Sequence, residues 1–147
     1  MFEQRVQRTF EAITRKDLAA VMKGWADDGV LEFPGRSTLG GRYEGRVAIE
    51  GFFRRWFERM SSIRLNVRHV GFSSPALTYR GTMFVEFDTD QVTVEGQALH
   101  TDVVGVYRLR RGKLTLYREF LFDATEAEVV WGSRDPSESD RPAALGV

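Results

Sequence analysis

The sequence contains no cysteine. That absence removes thiol nucleophiles, cysteine metal sites and disulfide staples, and it fits a reducing cytoplasm, where the protein is expected to work. Net charge is missing too: 21 basic and 21 acidic side chains balance to zero. No global field would gather phosphates or an anionic bilayer, so neither nucleic acid nor membrane is an expected partner. No apolar run reaches membrane-spanning length, and Met1-Phe2-Glu3-Gln4-Arg5 lacks the charged head and apolar middle of a signal peptide. Gly40-Gly41 and Gly45 do not join a strand to a helix at phosphate-loop spacing, and no Gly-x-Ser-x-Gly elbow occurs. Histidine is scarce. His100-Thr101-Asp102 puts a histidine and a carboxylate on one strand face without a credible third ligand, so no metal and no cofactor are expected.

What the chain does have is a change of period. The 147 residues fit one domain with its own core. Val6, Phe10 and Ile13 recur at helical spacing, and Asp17 is placed to cap a second short helix through Leu18, Val21, Met22 and Trp25. Asp27-Asp28-Gly29 breaks this hairpin, Val30 to Phe33 reads as a strand, and Pro34-Gly35 with Gly40-Gly41 marks a loop. From Arg46 to Met60 a third helix places Ile49, Phe52, Phe53, Trp56, Phe57 and Met60 on one face, and Glu50, Arg54, Arg55, Glu58 and Arg59 on the other.

After Ser61-Ser62 the period becomes two: Ile63, Leu65 and Val67 alternate with Arg64, Asn66 and Arg68. Strands over Leu77–Asp88, Val92–Glu95, Ala98–Arg110 and Lys113–Phe122 follow, with turns at Glu95-Gly96 and Arg111-Gly112. Helices first and a strand meander afterwards predict an α+β fold, with a short helix over Thr125–Trp131 after it. The domain is expected over residues 1–132, with a flexible tail over 133–147, which is small, polar and proline-punctuated. The arginines at 54, 55, 59, 64 and 68 lack interleaved aromatics and read as a solvated face.

Three stretches stand out: Trp25-Ala26-Asp27-Asp28-Gly29-Val30-Leu31-Glu32-Phe33-Pro34, then Tyr43-Glu44-Gly45-Arg46-Val47-Ala48-Ile49, and finally Val104-Gly105-Val106-Tyr107-Arg108-Leu109 with Gly112-Lys113-Leu114. Together they resemble the nuclear transport factor 2-like superfamily, and within it the SnoaL-like polyketide cyclases, ketosteroid isomerases and limonene epoxide hydrolases. The resemblance runs from about Val6 to Asp123. It implies a conical barrel, with the N-terminal helices packed in the concave face of a strongly bent, mainly antiparallel sheet. It also implies a hydrophobic interior and a homodimer, for which apolar residues at both strand parities, as in Val103-Val104, give a second reason.

Most of the family's catalytic residues do not carry over. The isomerase's general-base aspartate falls on Phe33, its oxyanion-hole aspartate on Gly105 and its first-helix tyrosine near Thr9. The epoxide hydrolases' two aspartates correspond to Asp88 and Glu119, but their arginine becomes Glu86 and their first-strand pair becomes Leu31 and Phe33. The cyclases' last-strand aspartate lies within one residue of Asp123, and that offset would turn Asp123 outward.

Glu119 leads the candidates, because an acid among Leu116, Tyr117, Phe120, Leu121 and Phe122 is either a proton donor with a raised pKa or half of a structural pair with an arginine. Asp88 shares its parity with Glu86, opposite Met83, Val85 and Phe87. That makes it part of a wet acidic face unless a bulge near Asp88–Gln91 exchanges faces, as the family register would have it. His69 continues the parity of Ile63, Leu65 and Val67 and lines either the pocket or the core. The expected catalytic set is Glu119 helped by Asp88 and His69. The expected ligand wall is Trp25, Phe33, Phe53, Trp56, Phe57, Val103, Tyr107 and Tyr117, around a small hydrophobic molecule. The expectation is a hydrophobic-ligand pocket working as a cofactor-free isomerase, cyclase, dehydratase or hydrolase; the alternative is a non-catalytic ligand-binding, dimerisation or protein-interaction module.

Overall fold

The computed structural model describes residues 2–73 and 80–132. Helix α1 (Phe2–Thr14) buries Val6, Phe10 and Ile13 on one face, as their spacing requires. Lys16, at φ 55°, turns the chain, and Asp17 starts α2 (Leu18–Met22) by accepting the Ala20 N–H at 3.0 Å. α2 is shorter than the sequence indicates, because Trp25 opens strand β1 (Trp25–Phe33) instead of closing the helix. Tertiary partners take the backbone there. The Leu114 N–H donates to the Gly24 carbonyl at 2.7 Å, and the Arg46 guanidinium donates to the carbonyls of Met22 and Trp25, both at 2.9 Å. β1 is correspondingly longer than Val30–Phe33, with a register slip between Trp25 and Val30 that absorbs Asp27-Asp28-Gly29.

The stretch read as a loop holds a further strand, β2 (Gly41–Glu44), antiparallel to β1. Helix α3 (Gly45–Arg59) follows and buries Ile49, Phe52, Phe53 and Phe57. Burying each phenylalanine contributes roughly 1.5–3 kcal/mol. Strand β3 (Met60–Phe72) leads to β4 (Arg80–Thr93), which is one strand where the sequence indicates two. Its expected start at Leu77 lies outside the described residues, as does the expected tail over 133–147. β5 (Ala98–Arg110), β6 (Lys113–Leu121) and α4 (Thr125–Trp131) complete the fold. Arg111 and Gly112, at φ 50° and 75°, make the two-residue turn between β5 and β6.

The six strands run in the order β2-β1-β6-β5-β4-β3, and only the β1–β6 pairing is parallel. The sheet is curved but not closed, and α1 and α3 pack across its concave face. Burial alternates along β5: Thr101, Val103, Tyr107 and Leu109 are buried, whereas His100, Val104, Arg108 and Arg110 are exposed. One face therefore belongs to the helices and the other to solvent.

Arg46 is the fold's clearest single tie, holding two carbonyls at the point where helix gives way to sheet. Arg46→Met keeps the aliphatic length and leaves those carbonyls without their donor. It is expected to lower stability by about 1–3 kcal/mol, read from urea denaturation.

Candidate functional site

Between α1, α3 and the sheet lies an apolar cavity of about 90 Å³. α1 contributes Phe10 and Ile13, α3 Phe52, Phe53 and Trp56, and α4 closes one side with Ala127 and Trp131. From β6, Tyr117, Glu119 and Leu121 face inward, because the register slip between Arg108 and Leu109 of β5 occurs before them and alternation is regular afterwards. Arg118, on the opposite parity, crosses to the outer face and ion-pairs with Glu32, which Arg42 also holds at 2.6 Å. The expected alternative for Glu119, a structural pair with an arginine, is not what forms. Glu119 has no ion pair among the described residues; Oε1 accepts the Tyr117 hydroxyl at 3.0 Å.

Burial pushes the Glu119 carboxyl up to about 7, against the opposing pull of the Tyr117 hydrogen bond. Burial, then the charge of Glu119, raises the Tyr117 hydroxyl well above the usual tyrosine value, so it stays a donor, and the same two causes raise Tyr107. The two rings pack at a tilt of 38° with centroids 4.7 Å apart. Gly105 makes this arrangement fit: it pairs directly with Glu119, and a Cβ there would meet Tyr117 at 2.7 Å and Tyr107 at 2.8 Å.

Seven of the eight expected wall residues line the cavity: Trp25, Phe33, Phe53, Trp56, Val103, Tyr107 and Tyr117. Phe57 does not; it is buried against Phe53 and Trp56, both at 5.9 Å between ring centroids. Asp88 and His69 also fall elsewhere. β4 pairs with β5 without a slip from Arg80 to Val92, so Met83, Val85, Phe87, Thr89 and Gln91 hold the concave parity and Asp88 the convex one. On that face it accepts from Asn66 at 2.9 Å and from Arg68 at 3.1 Å.

The bulge that matters lies in β3. Val67 pairs with Phe87 and His69 with Glu86, which leaves Arg68 as the extra residue and turns His69 outward, 2.6 Å from Glu86. Its side chain is 82% exposed. Asp123 is exposed and accepts the Thr125 N–H at 2.9 Å ahead of α4. His100 sits on the outer face 2.8 Å from Asp90, with Asp88 close by, so a third potential ligand does exist, although these carboxylates are engaged by His100, Arg68 and Asn66. The inward Thr89 and Gln91 escaped the sequence reading, and the unbroken alternation from Met83 was the signal for them.

This α+β cone with a buried acid places the chain in a known class. Residues 6–117 match the family model described as the SnoaL-like domain, and the chain belongs to that family, with the NTF2-like fold. Glu119 lies just beyond the matched segment. A curated relative, an uncharacterized PhzA/B-like protein of Pseudomonas aeruginosa, is 34% identical over 75% of this chain and 79% of its own length. Among solved structures, an NTF2-like protein of unknown function from Burkholderia pseudomallei aligns with TM-score 0.74 at 22% identity, covering 89% of this chain and 97% of that one. TerC, co-crystallized with polyporic acid, aligns with TM-score 0.70 at 18% identity over 86% and 95%. At these identities the two structures speak for the fold alone. No helix among the described residues is long and apolar enough to cross a membrane.

Glu119 sets a pH dependence. Its folded pKa of about 7 exceeds the ordinary 4.5, so between those values the native state holds a proton that the unfolded chain has lost. The contribution of Glu119 is therefore full below about pH 4.5 and declines as pH rises towards 7, by on the order of 3 kcal/mol. Because glutamine does not titrate, Glu119→Gln is expected to lose this slope in denaturation curves from pH 4.5 to 7.5. His100, raised chiefly by its Asp90 hydrogen bond, loses its contribution only above 6.5 and persists in the variant.

Proposed function

We propose that this protein binds a mostly apolar, uncharged small molecule in the concave cavity and performs cofactor-free acid/base chemistry on it, with Glu119 as the proton donor or acceptor. The observation that carries this reading is one desolvated carboxyl in a cavity wall that is otherwise apolar or neutral. Near neutral pH such a group exists in both protonation states, the condition for efficient proton transfer. As Glu119 gives up its proton, the Tyr117 hydroxyl on Oε1 stabilises the carboxylate left behind. Isomerisation, cyclisation, dehydration and water addition all fall within this chemistry. The match to the SnoaL-like family supports a small-molecule role. Asp88 and His69 take no part, since they lie across the sheet.

A non-catalytic binder is the second reading. It is favoured by Phe33 and Gly105 standing where the isomerases have acids; the cavity, at about 90 Å³, is small for either reading. An engineered cavity of about 150 Å³ takes benzene, so a larger ligand would enter here by displacing the α4 wall at Ala127 and Trp131.

A screen of polyketide-like, terpenoid and steroid compounds separates these readings. A bound ligand is expected to quench tryptophan fluorescence and raise Tm, because it stabilises only the native state. For a ligand that turns over, Glu119→Gln is expected to keep affinity and reduce turnover on the order of a hundredfold or more. Unchanged turnover in that variant excludes Glu119 as the acid/base; a binder without turnover fits the second reading; no ligand at all removes the pocket function.

The outer face supports a homodimer in the same reading. Phe84, Val104 and Phe120 are 43%, 41% and 52% exposed, and Val104 and Phe120 are cross-strand neighbours. A second copy would cover them through the same patch. Sedimentation is expected to give a dimer at micromolar concentration and a monomer for Phe120→Glu; a monomeric parent protein overturns this assignment.

A further inference from the structure

Farther along the sheet from Glu119, the cavity wall holds polar groups that the acid does not touch. Thr89 and Thr101 are direct cross-strand partners, Gln91 is the next inward position of β4, and all three are buried and line the cavity. A chain of hydrogen bonds fixes their orientation. The Trp56 Nε1–H donates to Gln91 Oε1 at 2.6 Å, and an indole N–H can only donate, so the Gln91 carbonyl must face it. The amide nitrogen then faces the other way and donates to Thr89 Oγ1 at 3.2 Å.

Thr89 is thereby made an acceptor, and its own hydroxyl proton has no acceptor among the described residues, in a residue only 4% exposed. An unused donor in such a place is costly unless something else takes its proton. Gln91 Nε2 carries a second hydrogen beyond the one given to Thr89. Thr101, whose hydroxyl lies 3.5 Å from Glu126 Oε2, is a second hydroxyl at this end of the cavity.

We propose that Thr89, oriented by Trp56 through Gln91, is a specificity-determining donor that binds an acceptor oxygen on the ligand, at the far end of the cavity from Glu119. The inference rests on reading the cavity as a ligand pocket, and it defines the ligand further. The wall contains no lysine, arginine or histidine, so a carboxylate or phosphate would be desolvated without a counter-charge. Glu119 pairs with Gly105 and Thr89 with Thr101, four positions apart on β5, which separates the two polar points by about 13 Å along the strand and by less across the concave face. The ligand class is a neutral, elongated apolar molecule with a carbonyl, ether or hydroxyl oxygen at each end.

The test compares matched probes by calorimetry: phenol against hydroquinone, and a monohydroxybiphenyl against the biphenyl diol with a hydroxyl at each far end. For the native protein, one diol of suitable length is expected to bind about five- to tenfold more tightly than its mono-hydroxy partner, the scale of one net hydrogen bond. Thr89→Val is expected to abolish that preference, and Thr89→Ser, which keeps the hydroxyl, to restore it. Should Thr89→Val not fold, Thr89→Ala makes the same comparison. The proposal is overturned if no diol is preferred at either length, or if the preference survives loss of the hydroxyl. If none of the probes binds the native protein while the wider screen finds a ligand, the elongated dioxygenated class is wrong; if that screen is empty too, the pocket reading itself has failed.

Discussion

A bent sheet covered by helices on one side imposes a binary assignment on every strand residue, and that alternation governs the rest of this structure. A side chain on β4, β5 or β6 faces either the helices or the outside, and only a bulge changes the sequence of faces. The run Met83, Val85, Phe87, Thr89, Gln91 keeps one parity against β5 without interruption, so two polar residues are delivered into an apolar cavity and Asp88 is delivered away from it. In β3 one extra residue at Arg68 is enough to send His69 out and bring Val70 opposite Val85. The composition of the cavity thus follows from where two neighbouring strands keep step and where they do not.

Within that frame, the electrostatics of the site reduce to one acid that lost its expected partner. Arg118 is adjacent to Glu119 in sequence, but alternation puts the two on opposite faces, and Arg118 joins Glu32 and Arg42 there. There the carboxylate of Glu32, though partly desolvated, is held below its usual range by two guanidinium groups. Glu119 has one neutral hydroxyl, and burial raises it to about 7. The contrast between two glutamates on adjacent strands illustrates how the face of a sheet, more than residue type, determines which acid stays charged.

Much of this fold is legible in the sequence. The periodicity of Val6-Phe10-Ile13 and of the α3 aromatics, and the change to a two-residue repeat after Ser61, specify the helices and strands with little help from tertiary context. The boundaries that differ have local causes. Trp25 leaves the helix because β6 and Arg46 take up the backbone around it, and β2 consists of four residues whose pairing with β1 cannot be read from a Gly-rich stretch. The site was legible where a residue's neighbours are apolar on both sides, as for Glu119 and the aromatic wall. It was not legible for His69, because a bulge leaves no mark in a run of alternating residues. For Asp88, the family register argued against the plain alternation, and the alternation holds. Thr89 and Gln91 look like surface residues by composition, and only their parity reveals them.

The buried acid also bears on what Glu119 contributes to the fold. A single hydroxyl hydrogen bond does not offset the desolvation of a carboxylate, as its raised pKa records, so above pH 7 the residue weakens the structure that holds it. An apolar side chain at this point of β6 would pack beside Tyr117 and Leu121 without that penalty. The surrounding geometry is nonetheless built around the acid: Gly105 leaves space where any Cβ would strike the tyrosine rings, and those rings hold a hydroxyl at the carboxyl oxygen. Thr89 has the same character at the other end, a buried donor oriented by two further residues and left unspent. Both groups cost stability, Glu119 as a desolvated carboxylate above pH 7 and Thr89 as a buried donor without an acceptor among the described residues. In the proposed reading, a bound molecule that accepts from Thr89 and exchanges a proton with Glu119 would offset both costs.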